Sequence, residues 1–214
     1  EDLLKLDLLG QISGFIHTTS DTLSDAVKPE GSKLLYGVDY ITEEVLGLTF
    51  KISPYSFFQT NTKGSEVLYQ TVIDMAGNID EKTVFDLYSG TGTITQIMAS
   101  AAKEVHGIEI VEEAVEAAVE NAKLNGLDNC HFIAGDVLKK IEELKGKPDL
   151  IILDPPREGI NPKAIGKIID FGAPEIVYVS CNPRSLVRDL RVMVESGYVV
   201  KEVQCVDMFC HTNH

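Results

Sequence analysis

From Lys63 onward, apolar residues recur every three to four positions, then fill short unbroken runs, then recur every three to four again. This alternation constrains the chain more than any other feature. Strands separated by helix-length amphipathic segments pair in parallel and bury both faces under helices. Lys63–Ala76 carries Val67, Leu68, Val72, Ile73 and Ala76 on one helical face, and Val111, Ala114, Val115, Ala118, Val119 and Ala122 form a second stripe, stopped by Asn125-Gly126. Further helices are predicted over 93–102, 136–145, 162–171 and 184–195. Strands are predicted at 83–87, 105–110, 131–134, 150–153, 176–179 and about 199–206.

The first fifty residues behave differently. Periodicity is weak through Pro29, and then Tyr36–Ile41 and Val45–Ile52 read as two short strands around Thr42-Glu43-Glu44. Ser53-Pro54 breaks the pattern. The expected organisation is an N-terminal hairpin segment over 1–52 and a doubly wound α/β domain over 53–214. A length of 214 residues suits one generous domain, or one with a small appendage.

Composition narrows the partners. Nineteen Lys plus Arg against 33 Asp plus Glu give a formal net charge of −14, so the chain as a whole is no basic nucleic-acid clamp. Net charge bounds the overall field and leaves room for a local basic rim. Apolar content of 44% excludes a disordered chain. No apolar run reaches the roughly 18 residues needed to span a bilayer, and no signal-peptide pattern follows Glu1. Cys130, Cys181, Cys205 and Cys210 show no C-x-x-C spacing and no disulfide framework. A cytoplasmic, monomeric fragment with free thiols is expected.

Ligands of doubly wound sheets bind outside the carboxyl ends of the strands, so the residues after each strand carry the chemistry. After the first comes Asp86-Leu87-Tyr88-Ser89-Gly90-Thr91-Gly92, a turn that lets a ligand approach the backbone. A dinucleotide fingerprint wants Gly or Ala at position 95, where this chain has Thr95. Glu109 ends the second strand, 19 residues after Gly90, where a carboxylate can accept both ribose hydroxyls of a nucleoside. The spacing resembles the S-adenosylmethionine loop of class I methyltransferases. Taken alone it also fits another nucleotide, or a generic glycine turn. Asp136 suits an adenine contact and equally the N-cap of the next helix.

After the fourth strand, Asp154-Pro155-Pro156-Arg157 makes a rigid loop holding Asp154 at the sheet edge. Enzymes that methylate nitrogen show a similar loop with an aromatic residue in the Arg157 slot. Arg157 also reads simply as one half of an ion pair. After the fifth strand comes Ser180-Cys181-Asn182-Pro183. A thiol at a strand end, just before a helix whose dipole lowers its pKa, reads as a nucleophile beside a methyl donor. The alternative is a buried structural cysteine.

Together with Phe57-Phe58-Gln59-Thr60-Asn61, these loops resemble the RNA uracil-C5 methyltransferases that act on 23S ribosomal RNA and tRNA, over about residues 30–214. The resemblance implies a class I fold and transfer of a methyl group from S-adenosylmethionine to C5 of a uridine in RNA, with 23S rRNA expected. It implies Cys181 as nucleophile, adding to C6 of a flipped uracil. It implies Gln59, Tyr88, Glu109 and Asp154 as cofactor ligands, with Gly90 and Asp136 nearby. Asp154 and Gln59 also reach the base, and Phe57 or Phe58 stacks on it. No metal is implied: Cys205, Cys210, His211 and His214 fit no zinc spacing, and the two histidines are given a positioning role. Cys210 replaces the usual Pro of the family's base loop. The family's general-base Glu lies two positions past the place of His214 and its last strand follows, so either the sequence is clipped or the fragment is incomplete, and a chain that truly ends near His214 is expected to bind the cofactor without turning over. Competing readings are a methyltransferase acting on another substrate, with Cys181 structural, and a cofactor- or RNA-binding module without chemistry.

Overall fold

The computed structural model describes residues 2–6, 9–21, 30–144, 146–212. Five strands form the central sheet: β5 (Thr83–Leu87), β6 (Glu104–Glu109), β7 (Cys130–Ala134), β8 (Leu150–Leu153) and β9 (Glu175–Tyr178). Their order is β7-β6-β5-β8-β9 and every pairing is parallel. The winding reverses between β5 and β8. All four residues of β8 are fully buried, which is why its sequence is an unbroken Leu-Ile-Ile-Leu run.

Helices α1 (Thr62–Ala76), α2 (Thr93–Ala99) and α3 (Glu112–Leu124) cover one face, and α4 (Val137–Lys140), α5 (Pro162–Asp170) and α6 (Pro183–Glu195) the other. Each face has its own core. Tyr69, Val72, Ile94 and Met98 pack on Val84 and Ile152 on the first face. Ile165, Ile168 and Met193 pack with Phe85, Leu87 and Ile151 on the second. The predicted helix over 136–145 shrinks to α4 and a following 3-10 turn at Ile141–Glu143.

Two antiparallel hairpins precede the sheet, β1 (Gly14–Thr19) with β2 (Gly31–Gly37), and β3 (Ile41–Val45) with β4 (Leu48–Ile52). The second corrects the expected register. Its turn is Leu46-Gly47, not Thr42-Glu43-Glu44, and both turn residues take positive φ, 50° and 79°. That backbone matches the twist of a two-residue hairpin, and Gly47 supplies half of it without strain. Val45, Phe50 and Ile52 enter the α1–α2 core. The outer edge of β4 is closed by α3: Asn121 Oδ1 accepts the Lys51 N–H at 2.8 Å and its Nδ2 donates to the Lys51 carbonyl at 3.2 Å. Asn125 does the same for Thr49, at 2.9 Å each way. Two side-chain amides thus stand in for a neighbouring strand.

The predicted strand at 199–206 is a second correction. Residues 198–207 join no ladder, and Val199 and Val203 are 79% and 68% exposed. Alternating apolar residues make a strand only where a neighbour accepts the backbone bonds.

Candidate active site

The glycine loop begins with strain. Tyr88 takes φ 91°, and its N–H and that of Ser89 both donate to the Ile108 carbonyl, at 3.0 and 2.9 Å. A non-glycine residue in this region costs on the order of 1–3 kcal/mol and is held there by its surroundings. Gly90 and Gly92 follow at φ 54° and 76°. A Cβ at Gly92 would lie 2.8 Å from both Ala118 and the Phe132 ring, whereas one at Gly90 would meet nothing within 4 Å. The loop is packed at Gly92 and open at Gly90.

Carboxylates gather around this opening. Glu109 Oε2 accepts the Gly90 N–H at 2.9 Å, and Oε1 accepts the Val111 N–H at 2.9 Å. Asp136 caps α4 by accepting the Leu138 N–H at 2.8 Å, which is its N-cap reading. Gly135 N–H donates to the Glu109 carbonyl at 2.7 Å, tying those two loops together. Tyr88 lies between them and α6: burial first, then Asp136 and Asp189, push its hydroxyl up to about 12.

Asp86 is 1% exposed. Its Oδ2 accepts the Thr95 hydroxyl at 2.6 Å, while Oδ1 has no partner. Burial pushes this carboxyl up to about 7 against the pull of Thr95, with Asp154 and Glu109 adding repulsion. Asp154 follows β8, on the same face as Asp86, and burial raises it to about 6. The same two carboxylates, after burial, raise the Tyr69 phenol of α1. Among the described residues, none of Asp86, Glu109, Asp136 or Asp154 makes an ion pair. Asp86 is buried and the other three are half-buried, and carboxylates drawn out of water without cations suit a ligand that brings its own positive charge.

The nucleophile candidate lies one strand over. Val179 N–H donates to the Leu153 carbonyl at 2.7 Å, carrying β9 past its last paired residue to Ser180 and an exposed Cys181. Asn182 caps α6 through the Arg184 N–H at 3.1 Å, and its Nδ2 donates to the Arg157 carbonyl at 2.9 Å. Ser185 Oγ donates to the same carbonyl at 3.1 Å. The Asp154–Arg157 loop and the Cys181 loop are therefore one hydrogen-bonded unit.

That unit has a buried clamp which the sequence did not reveal. Asp189 of α6, 2% exposed, accepts the Ile160 N–H and the Tyr178 hydroxyl on Oδ2, both at 2.8 Å, and Arg188 Nε on Oδ1 at 2.9 Å. Arg188 Nη2 donates on to the Glu158 carbonyl at 2.8 Å. The available signal was an aspartate on the inward stripe of α6, between Ser185 and Met193.

The Phe57–Asn61 loop separates its members. Phe57 is 77% exposed. Phe58 packs on Phe50, ring centroids 5.7 Å apart, within the α1 core. Gln59 is half-buried and lines a groove of about 440 Å³ with Phe58, Ile16, Val38 and Ile41, and no hydrogen bond among the described residues joins it to Asp154. Asn61 Nδ2 donates to the Met208 carbonyl at 2.7 Å, so this loop meets the 207–212 turn. His211 is exposed there, whereas His214 lies outside the described residues. Among the described residues no group of His, Cys, Asp and Glu is arranged to hold a metal ion.

Residues 23–214 match the family described as tRNA (uracil-5-)-methyltransferase. An uncharacterized RNA methyltransferase of Clostridium tetani is 58% identical over all of this chain and 47% of its own length. A second, from Caldanaerobacter subterraneus, is 55% identical over all of this chain and 48% of its own length. The chain thus spans about half the length of the curated relatives it matches. The crystal structure of the Pyrococcus abyssi tRNA (uracil-54, C5)-methyltransferase, in complex with S-adenosyl-L-homocysteine, superimposes with a TM-score of 0.79 at 29% identity, covering 95% of this chain and 49% of that one. The fold is the class I, Rossmann-like fold of S-adenosylmethionine-dependent methyltransferases. By its match over most of its length, this chain belongs to the tRNA (uracil-5-)-methyltransferase family.

Proposed function

We propose that this chain carries the cofactor-binding and nucleophile part of an enzyme that methylates uracil C5 in RNA, with a uridine of ribosomal RNA or tRNA as substrate and 23S rRNA as the first candidate. The cofactor is S-adenosylmethionine, which supplies the methyl group as an electrophile at a sulfonium centre. Glu109 and Asp136 hold the adenosine end, the first through its free lone pairs on a ribose diol. Tyr88 and the open face of Gly90 lie against it, and Asp86 and Asp154 supply the negative field for its cationic end. Gln59 and Asp154 contact the target base, and Phe57 is the free ring for stacking.

Cys181 performs the step that uracil itself resists. Its thiolate adds to C6, breaking the C5–C6 π bond and placing the electron pair on C5 as an enolate. C5 would then take the methyl group, whose bond to the sulfonium sulfur breaks to leave S-adenosylhomocysteine. Loss of the C5 proton to a base, the role that the family resemblance gives to a Glu not among these residues, re-forms the π bond and expels the thiolate. Enforced reach matters here, and the Asn182–Arg157 bond fixes it by holding the Cys181 loop against the Asp154 loop. The site works as a monomer in the cytoplasm; no helix among the described residues is long and apolar enough to cross a membrane.

The observation that carries this reading is the exposed Cys181 at the carboxyl end of β9, its loop bonded to that of a half-buried Asp154 that makes no ion pair among the described residues. Mass spectrometry of the chain with S-adenosylmethionine and 5-fluorouridine RNA tests it. Fluorine at C5 leaves no proton to remove, so the adduct accumulates whether or not a base is present. Wild type is expected to gain one RNA, and Cys181→Ala none. An equal adduct with Cys181→Ala, or methyl found on a nitrogen, overturns the assignment.

A further inference from the structure

The chain contains four arginines, and all lie between residues 157 and 191, whereas lysines are spread from 5 to 201. Three of the four, Arg184, Arg188 and Arg191, fall at i, i+4 and i+7 of α6 and so share one stripe. The stripe is exposed, opposite the inward Ser185, Asp189 and Met193. Of the acids of α6, Asp189 is buried and paired, and Glu195 stands at the far end. Arg184, Arg191 and Arg157 have no side-chain partner among the described residues.

Arg188 is different, and it sets the register. Its guanidinium bridges Asp189 and the Glu158 carbonyl, so the middle of the stripe is fixed to the loop that also holds Cys181 through Asn182. The stripe begins three residues after Cys181. Arg184 and Arg191 stand about 10 Å apart along the helix axis, far enough to take separate phosphates. Arginine forks match phosphate geometry, and phosphate contacts dominate RNA affinity. In a chain of net charge −14, an arginine stripe beside the nucleophile is a local reversal of sign.

We propose that the outward face of α6, through Arg184 and Arg191 with Arg188 fixed between them, is the track for the phosphate backbone of the substrate RNA as it leaves the nucleotide at Cys181. This rests on the uridine reading above. An acidic protein is the rival occupant.

Fluorescence anisotropy with a labelled single-stranded, uridine-containing RNA of about 20 nucleotides, titrated from about 20 to about 200 mM salt, tests it. Arg184→Gln/Arg191→Gln is expected to lower the slope of log K against log salt by about 1.4, since each phosphate contact on a single strand contributes about 0.7. Arg184→Lys/Arg191→Lys should retain the slope. Lys103→Gln/Lys123→Gln, the same charge change elsewhere on the surface, should leave it unchanged. An unaltered slope in the arginine pair, an equal loss in the lysine pair, or no RNA binding by wild type at the lowest salt overturns the proposal. Displacement of RNA by polyglutamate at equal charge concentration would reassign the stripe to an acidic protein. A Cys181 adduct that forms normally while the slope stays unaltered removes only the track. A normal arginine effect without any adduct removes only the uridine chemistry.

Discussion

Glu109 closes the glycine loop from the neighbouring strand, taking the Gly90 N–H on one oxygen and the Val111 N–H on the other, each at 2.9 Å. Each oxygen keeps a lone pair for a ribose hydroxyl. Glu109→Gln puts an amide NH₂ where one backbone N–H now donates, so two donors face each other. We expect S-adenosylmethionine and S-adenosylhomocysteine to bind about 10- to 100-fold more weakly, on the order of 1.4–2.8 kcal/mol. Isothermal titration calorimetry checks this; a Kd within twofold of wild type would show that Glu109 organises the loop without touching the ligand.

How much of this was readable in the sequence depends on the range of the interaction. The buried run Leu150–Leu153 and the α3 stripe announce a parallel sheet because burial on that face is dictated by local spacing. Glu109 and Cys181 are legible for a related reason: a chemistry-bearing residue at the end of an apolar strand lands on the ligand edge. Asn121 and Asn125 are not legible as edge partners, since their bonds reach back 70 and 76 residues. The β1–β2 hairpin is not legible, because every residue of β2 is exposed and no buried face imposes an alternation on its sequence. The 199–206 segment has the alternation of a strand without the ladder, so its pattern misleads.

Asp86 couples the site to pH. In the fold its carboxyl keeps a proton up to about pH 7, held there chiefly by burial, whereas an unfolded aspartate loses it near 3.9. Between these values the folded state binds more protons, so this group's contribution to stability falls as pH rises. Asp86→Asn carries no such proton and still accepts the Thr95 hydroxyl. Relative to wild type it should gain stability steadily from about pH 4 to about pH 7 and level off above, by a few kcal/mol at most. Urea melts of both proteins across that range would show it; parallel stability–pH curves would place an ionised Asp86 in the folded protein throughout.

Neighbouring phenylalanines should separate in their effects. Phe58 packs on Phe50 inside the α1 core, so Phe58→Ala is expected to cost about 2–3 kcal/mol and lower Tm by several degrees. Phe57 projects into solvent, and Phe57→Ala should change stability by less than about 0.5 kcal/mol. Its loss should instead weaken RNA binding by about 1–3 kcal/mol, the value of one stacked base. Thermal melts and RNA titrations of the two variants decide this, and a stable Phe58→Ala with impaired RNA binding would exchange the assignments.

Asn182 holds three things at once: the first turn of α6, the Arg157 carbonyl and the Cys181 backbone beside it. Asn182→Ala should cost about 1 kcal/mol as a lost cap. Asn182→Asp keeps the cap and removes the donor to Arg157, so it isolates the positioning effect. With the fluorouridine RNA, Asn182→Asp is expected to form the Cys181 adduct at least tenfold more slowly with Tm close to that of wild type. Equal adduct rates in Asn182→Asp and wild type would show that the loop stays in place without this bond.

The two cysteines nearest the sheet offer the sharpest contrast. Cys130 is half-buried at the start of β7, and burial, with Asp128 adding repulsion, pushes its thiol up to about 12. At pH 8 a thiol of that kind is ionised in roughly one molecule in ten thousand, and only the thiolate alkylates. Cys181 is exposed at a strand end and meets the reagent directly. Iodoacetamide at pH 8, followed by peptide mapping, should therefore modify Cys181 well before Cys130, and Cys130 labelling should rise about tenfold per pH unit toward 12. S-adenosylmethionine should slow the Cys181 reaction and leave Cys130 unchanged, because the proposed cofactor site and the thiol share one sheet edge while Cys130 starts its strand at the opposite end. Cys181 labelling no faster than that of Cys130 would mean the thiol is shielded where the proposed chemistry needs it free.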